Sequence, residues 1–72
     1  MNKIKKIKIK LNGKIKTIIE NSNLSELLKH LKIPLNKVAI ELNEEIVDKK
    51  KINKLKLNKN DKIEIVHFIG GG

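Results

Sequence analysis

The chain has no cysteine, arginine, tryptophan or tyrosine, and it has one phenylalanine and one proline in 72 residues. Without thiols it can form no disulfide, cysteine metal site or cysteine nucleophile, which suits a reducing compartment. Apolar runs fall short of the roughly 20 residues that span a bilayer, and the lysine-containing start lacks the apolar block of a signal peptide. We therefore expect a cytoplasmic protein with no membrane segment.

The positive charge is large but has a plain explanation. The net charge is +9, which would attract phosphates, yet all 17 basic residues are lysine, so the bidentate guanidinium fork is missing. Phe68 alone provides no platform on which bases could stack. The lysines also run through the whole chain rather than into one patch. We expect a solvated surface and no nucleic-acid partner, with a basic nucleic-acid-binding domain as the less favoured alternative.

Residues for catalysis or cofactor binding are scarce. Gly13 stands alone and the other three glycines end the chain, so no glycine loop could hold a nucleotide, and ATP chemistry would need a partner. His30 and His67 are too isolated to suggest a metal site. The carboxylates show no spacing typical of a general acid and base. We expect no intrinsic catalysis, no metal and no cofactor bound by this chain.

The first third of the chain predicts a hairpin. Ile7, Ile9 and Leu11 alternate with lysines, which indicates a strand with one buried face. Asn12-Gly13 suits the centre of a tight turn, and residues 14–19 return as a second strand. The phase of this second strand is ambiguous, because Ile15, Thr17 and Ile19 share one face whereas Ile18 lies on the other.

A helix follows the hairpin. Asn23 and Glu26 have the spacing of a capping box, which predicts that the helix begins there. The leucines after this cap form one continuous stripe, and they are Leu24, Leu27, Leu28 and Leu31. Pro34 is expected to end the helix after two to three turns. The leucine stripe needs a sheet to cover it.

The second half of the chain predicts three more strands. Residues 38–42 alternate, Asn43-Glu44 forms a turn, and residues 45–47 return as a short strand. Residues 48–51 predict a charged loop, Ile52 and Leu55 one helical turn, and residues 63–69 a last strand. The order predicts an α+β fold of the β-grasp type: a mixed sheet of four to five strands, with one main helix on one face. We assign residues 1–69 to this domain and 70–72 to a flexible tail.

The last strand predicts a docking surface beside that tail. Ile63 and Ile65 point one way, towards the helix, while Val66 and Phe68 point to the outer face. Such an apolar patch is typical of a partner surface, so we assign docking to Val66, Phe68 and Ile69. The alternative is that a neighbouring loop covers Phe68.

The three terminal glycines, Gly70, Gly71 and Gly72, form a stalk without side chains. Extended, they span about 10 Å and could thread a narrow channel. The terminal carboxylate of Gly72 is then the predicted working group, with Gly70 and Gly71 entering a partner's active site. An unstructured end without a role is the alternative.

Two segments resemble the ThiS family of sulfur carrier proteins of thiamin biosynthesis. They are residues 38–47, which read VAIELNEEIV, and residues 60–69, which read NDKIEIVHFI; the terminal glycine pair agrees. Asn60 stands where the family often has glycine, and Asn43-Glu44 replaces its usual Asn-Gly. Asparagine accepts the same left-handed backbone, so the first change is mild, and the second affects only local turn geometry.

The resemblance implies a β-grasp carrier whose Gly72 carboxylate is adenylated with ATP by an E1-like, ThiF-like enzyme. A sulfur-donor enzyme would then supply the sulfur of a C-terminal thiocarboxylate, and a ThiG-like thiazole synthase would receive it. The chain would act as a carrier and not as an enzyme. A MoaD-like carrier for molybdopterin and a ubiquitin-like modifier remain as alternatives, since both share the terminal glycine pair.

Overall fold

The computed structural model describes residues 3–68, which form one five-stranded sheet and one α-helix. The strands are β1 (Lys6–Leu11), β2 (Lys14–Ile19), β3 (Val38–Leu42), β4 (Glu45–Ile46) and β5 (Lys62–His67), and the helix α1 is Leu24–His30. Two 3₁₀ segments, Leu35–Lys37 and Lys49–Lys54, connect them. No helix within the described range has the length and apolar character to cross a membrane.

The sheet order is β2-β1-β5-β3-β4, so the last strand occupies the centre. Strand β5 runs parallel to β1, with Lys10 beside Lys62 and Leu11 beside Ile63, and antiparallel to β3 from Val38 to Leu42. The two hairpins therefore flank β5 on opposite sides. This confirms the predicted mixed sheet of the β-grasp type.

The core lies between α1 and the inner face of the sheet. Its buried members come from the helix, from alternating positions of three strands and from the loop before β5: Ile9, Leu24, Leu27, Leu28, Val38, Ile40, Leu57, Ile63 and Ile65. Three of the four predicted stripe leucines are buried, and Leu31 packs against the core from the helix end. The inner positions of β1, β3 and β5 follow the period of two that the sequence predicts.

The helix begins as predicted, and a left-handed residue takes part in its end. The Glu26 amide donates to Asn23 Oδ1 at 2.8 Å, and the Asn23 amide donates to Glu26 Oε1 at 2.9 Å, which is a capping box. At the other end Lys32 adopts φ 57°, and the amides of Lys32 and Ile33 donate to the carbonyls of Lys29 and Leu28. This Schellman arrangement ends the helix after about two turns, before Pro34, so the stop involves the left-handed Lys32 as well as the predicted proline.

Both hairpin turns place two consecutive residues at positive φ. Asn12 and Gly13 have φ 49° and 81°, and Asn43 and Glu44 have φ 51° and 71°. Tight turns with this geometry match the twist of the flanking strands, which is why the chain accepts a strained glutamate at the second position. The predicted tolerance of Asn60 for the left-handed region is confirmed by its φ of 71°.

Two local ambiguities are settled by packing. In β2, Ile18 joins the core while Ile15 and Ile19 are 68% and 55% exposed, so the face shared with Thr17 is the outer one. The predicted charged loop at 48–51 is mostly a 3₁₀ helix, because the Asp48 carboxylate accepts the Lys50 amide at 3.0 Å and caps it. Loop was therefore the wrong assignment for Lys49 to Lys51.

Asparagines in the two hairpin turns hold β5 from both sides. The Ile65 amide donates to Asn12 Oδ1 at 2.7 Å, and Asn12 Nδ2 donates to the Ile65 carbonyl at 3.3 Å. On the other side the Lys62 amide donates to Asn43 Oδ1 at 2.9 Å, and the Asn43 amide donates to the Lys62 carbonyl at 2.7 Å. Each turn thus extends the pairing of its hairpin with β5 by one step.

The Asn12 contact can be tested by substitution with glycine. Glycine fits the positive φ of the turn, so Asn12→Gly removes the side-chain bonds to Ile65 without straining the backbone. We expect a loss of about 1–2 kcal/mol in the free energy of unfolding, measured by urea denaturation. Asn21→Gly, also at positive φ and exposed, is the control and should change stability by less than about 0.5 kcal/mol. Equal effects of the two changes would contradict this account.

The helix stop gives a prediction of opposite sign. Lys32→Gly should raise the free energy of unfolding by about 0.5–1 kcal/mol, because glycine occupies the left-handed region without the penalty of a Cβ. Lys29→Gly, three residues earlier inside the helix, should lower it by about 1 kcal/mol. Urea denaturation of both variants checks the pair, and a destabilised Lys32→Gly protein would refute the assigned stop.

Candidate functional site

Strand β5 divides its side chains between the core and the outer face of the sheet. Ile63 and Ile65 are 0% and 7% exposed, whereas Val66 and Phe68 are 60% and 59% exposed. An alternating strand places neighbouring side chains on opposite faces, so the exposed pair follows directly from the burial of the isoleucines. The predicted outward exposure of Val66 and Phe68 is confirmed. Their docking role remains a prediction.

The surroundings of Phe68 leave its ring accessible. The Phe68 amide donates to the Lys37 carbonyl at 2.9 Å, which continues the pairing of β5 with the chain before β3. Lys49 Nζ lies 5.2 Å from the centre of the ring, within the range of a cation–π contact. A flexible lysine head covers little of an aromatic face, and the ring stays more than half exposed. The alternative prediction, that a neighbouring loop covers Phe68, is therefore wrong.

Ile46 is a further exposed apolar residue on the outer face and was not predicted from the sequence. It is 81% exposed in β4 and lies opposite Glu41, whose other neighbour on the outer face is Glu64. Ala39 lies beside Val66 on the same face. The sequence did contain a signal for this, because Ile46 and Val47 are neighbours in a short return strand and must point to opposite faces. The structure places Val47 against the core, so Ile46 faces outward.

The exposed pair Val66 and Phe68 lies where β5 extends beyond the end of its pairing with β1. The last pair between β1 and β5 is Leu11 with Ile63, and Asn12 continues the contact to Ile65. Beyond that point, within the described residues, β5 pairs with β3, and the Phe68 amide donates to the Lys37 carbonyl. The other predicted site residues, Ile69, Gly70, Gly71 and Gly72, lie outside the described residues. Val66 and Phe68 are thus the last described outward-facing apolar side chains before the predicted stalk.

The remaining polar residues form no arrangement typical of catalysis. His30 and His67 are both exposed and belong to different elements, and residues 3–68 contain no group of three metal-ligating side chains. An open groove of about 320 Å³ lies between β2 and α1 and includes His30 and Glu26. Glu26 already accepts the Asn23 amide in the capping box.

Comparison with known proteins agrees with this geometry. The model of the ThiS family matches residues 9–72. The sulfur carrier protein ThiS of Bacillus subtilis is 37% identical over 65 residues, which cover 89% of this chain and 98% of that protein. The crystal structure of the thiamine biosynthesis protein ThiS from Geobacter metallireducens superposes with a TM-score of 0.80 at 32% identity, over 92% of this chain and 100% of that one.

Longer proteins also contain a similar stretch. Thiazole synthases of Paramagnetospirillum magneticum and Magnetococcus marinus are both 39% identical over 66 residues, which make up 92% of this chain. The chain spans only 20% of their length, so the similarity concerns one part of each synthase. The match to the family model, the near-complete coverage of the Bacillus protein and the shared five-stranded sheet have one explanation. The chain belongs to the ThiS family.

Proposed function

We propose that this chain is a cytoplasmic sulfur carrier of thiamin biosynthesis. Its Gly72 carboxylate is the group that a ThiF-like enzyme adenylates with ATP, and that becomes a thiocarboxylate with sulfur from a sulfur-donor enzyme. A ThiG-like thiazole synthase then receives the sulfur. In this proposal the chain binds no cofactor and acts as a protein substrate and carrier, not as an enzyme.

The observation that carries the proposal is the exposed pair Val66 and Phe68 at the end of β5. An exposed aromatic beside an aliphatic side chain is the kind of surface that anchors a protein partner. The four residues that follow Phe68 can span about 13 Å when extended, far enough to reach an active site below the docked surface. A patch that fixes the carrier thus limits the positions that the reactive end can take.

The chemistry explains why a carrier needs partners. A carboxylate resists attack until one of its oxygens becomes part of a good leaving group, and adenylation provides this by joining it to AMP with release of pyrophosphate. A sulfur nucleophile can then displace AMP at the carbonyl carbon of Gly72. Glycines before that carbon leave it sterically open on all sides.

Thiazole synthase as the recipient is supported by the two longer relatives. Proteins that carry that name include a stretch 39% identical to this chain, so carrier-like and synthase sequences occur in one polypeptide. A carrier domain that is part of the thiazole synthase chain in some organisms is well suited to dock on a separate thiazole synthase in others. A MoaD-like carrier would serve molybdopterin synthase instead.

Mass spectrometry tests the central step. We expect that incubation with the ThiF-like enzyme, ATP and a sulfur source raises the intact mass by one exchange of oxygen for sulfur, and fragmentation should place the change at Gly72. The untreated sample also checks that Gly72 ends the chain. Unchanged mass with an activating enzyme that is active on another carrier would refute the proposal.

Deletion of Gly72 provides the matching control. The shortened chain should fold normally, because residues 3–68 contain the whole described core, and it should yield no thiocarboxylate. Transfer from the charged carrier to thiazole synthase, compared with molybdopterin synthase, identifies the pathway. Transfer to molybdopterin synthase alone would favour the MoaD-like alternative.

The docking role of Phe68 has its own test. Phe68→Lys should weaken binding to the activating enzyme by about tenfold, since a charge replaces an apolar anchor. The melting temperature should hardly change, because the ring is mostly exposed. Ile4→Lys, at a residue 71% exposed outside the sheet, is the control and should bind normally. Unfolding of the Phe68→Lys protein would show that the ring belongs to the core.

A further inference from the structure

The outer face of the sheet carries a basic half and an acidic half, which meet on β5. On β1 the outward side chains are Lys6, Lys8 and Lys10, and Lys62 of β5 lies beside Lys10. On the other half Glu41 of β3 lies beside Glu64 of β5. The sequence showed lysines throughout the chain, and the register collects four of them into one surface.

Both halves place like charges directly opposite each other. Lys10 with Lys62 and Glu41 with Glu64 are neighbouring pairs on the same face of adjacent strands. Like charges in this position destabilise a sheet, whereas exchanging one member of each pair would create two favourable contacts. The free protein therefore keeps an arrangement that opposes its own stability, and a complementary surface on a partner would relieve that repulsion.

Apolar side chains accompany the lysines. In β2, Ile15 lies opposite Lys10 and Ile19 opposite Lys6, and both isoleucines are more than half exposed. We call the set Lys6, Lys8, Lys10, Lys62, Ile15 and Ile19 the lysine surface. Exposed aliphatic groups beside cations fit a protein surface that offers both apolar contact and carboxylates. They add little to the binding of phosphates.

We propose that the lysine surface docks on an acidic surface of thiazole synthase. This inference rests on the proposed function and adds a second contact to the patch of Val66 and Phe68 on the same outer face. Because the basic and acidic halves lie side by side, a partner with the opposite pattern accepts the carrier in one rotational orientation. The contact then directs the end of β5, and the stalk after it, towards one site.

A nucleic acid is the less suitable occupant. The chain has no arginine to hold phosphates in a bidentate way and no aromatic residue other than Phe68, which follows β5 beyond the end of its pairing with β1. Glu41 and Glu64 on the same face would repel a polyanion that extended across the sheet. Their position suits a compact partner with both signs of charge.

Charge reversal at Lys10 separates docking from stability. Lys10→Glu places a carboxylate between Lys8 and Lys62, so the melting temperature should stay equal or rise. Association with thiazole synthase should slow by about tenfold at low ionic strength, and the difference should shrink as salt is added. Stopped-flow fluorescence of labelled carrier with the synthase of the same organism measures both effects. Lys8→Glu should behave in the same way.

Lys54→Glu is the matched control. Lys54 is exposed in the 3₁₀ segment that packs near α1, and its reversal changes the net charge by the same amount. We expect it to slow association by less than twofold. Equal slowing by Lys54→Glu and Lys10→Glu would mean that net charge alone acts, and that result would overturn the proposal.

Two further measurements separate the remaining outcomes. A fluorescent DNA duplex replaces the synthase in one series, and selective loss of duplex binding in Lys10→Glu, with normal synthase association, would overturn the proposal in favour of a nucleic-acid surface. Thiocarboxylate formation on the wild-type chain is followed separately by mass. If the wild type is converted but Lys10→Glu associates normally with the synthase, this inference fails while the proposed function stands.

Discussion

Strand β5 is paired along both of its edges, and the asparagines of the two hairpin turns extend that pairing, Asn12 with its side chain and Asn43 with its side chain and its backbone amide. Asn12 bonds both backbone groups of Ile65, and Asn43 bonds both backbone groups of Lys62. A central strand in so small a domain cannot shift by one residue, because every buried isoleucine would move to the outer face. The same pairing therefore fixes the core and the orientation of Val66 and Phe68.

The candidate site lies on the outer surface of the fold rather than in a cleft. An enzyme of this size would need a cleft, but a carrier needs a stable body, a surface for its partner and a free reactive end. The helix and the inner face of the sheet supply the body with nine buried apolar side chains. The outer face remains available for contact. Its adjacent lysines and adjacent glutamates oppose stability, which a small core tolerates only within narrow limits.

Features encoded by neighbouring residues were predictable. Asn23 with Glu26, the leucine stripe and Asn12-Gly13 each act over a few residues, so the capping box, the buried helix face and the first turn follow from local geometry. The outward exposure of Val66 and Phe68 follows from alternation along one strand. The exact end of the helix was harder to predict, because lysine rarely adopts the left-handed conformation and the sequence gives no signal that Lys32 does so.

The sequence by itself determined the five strands, the helix and their order, and its lack of cysteine excludes thiol chemistry, because these depend on residue type and on spacing within a few positions. Only the tertiary structure decided which face of β2 is buried, and that Lys10 meets Lys62 and Glu41 meets Glu64. The two like-charge pairs depend on strand register between segments more than twenty residues apart in the chain. That register is set by the collective packing of the core and by the two asparagines that hold β5, and no local pattern specifies it.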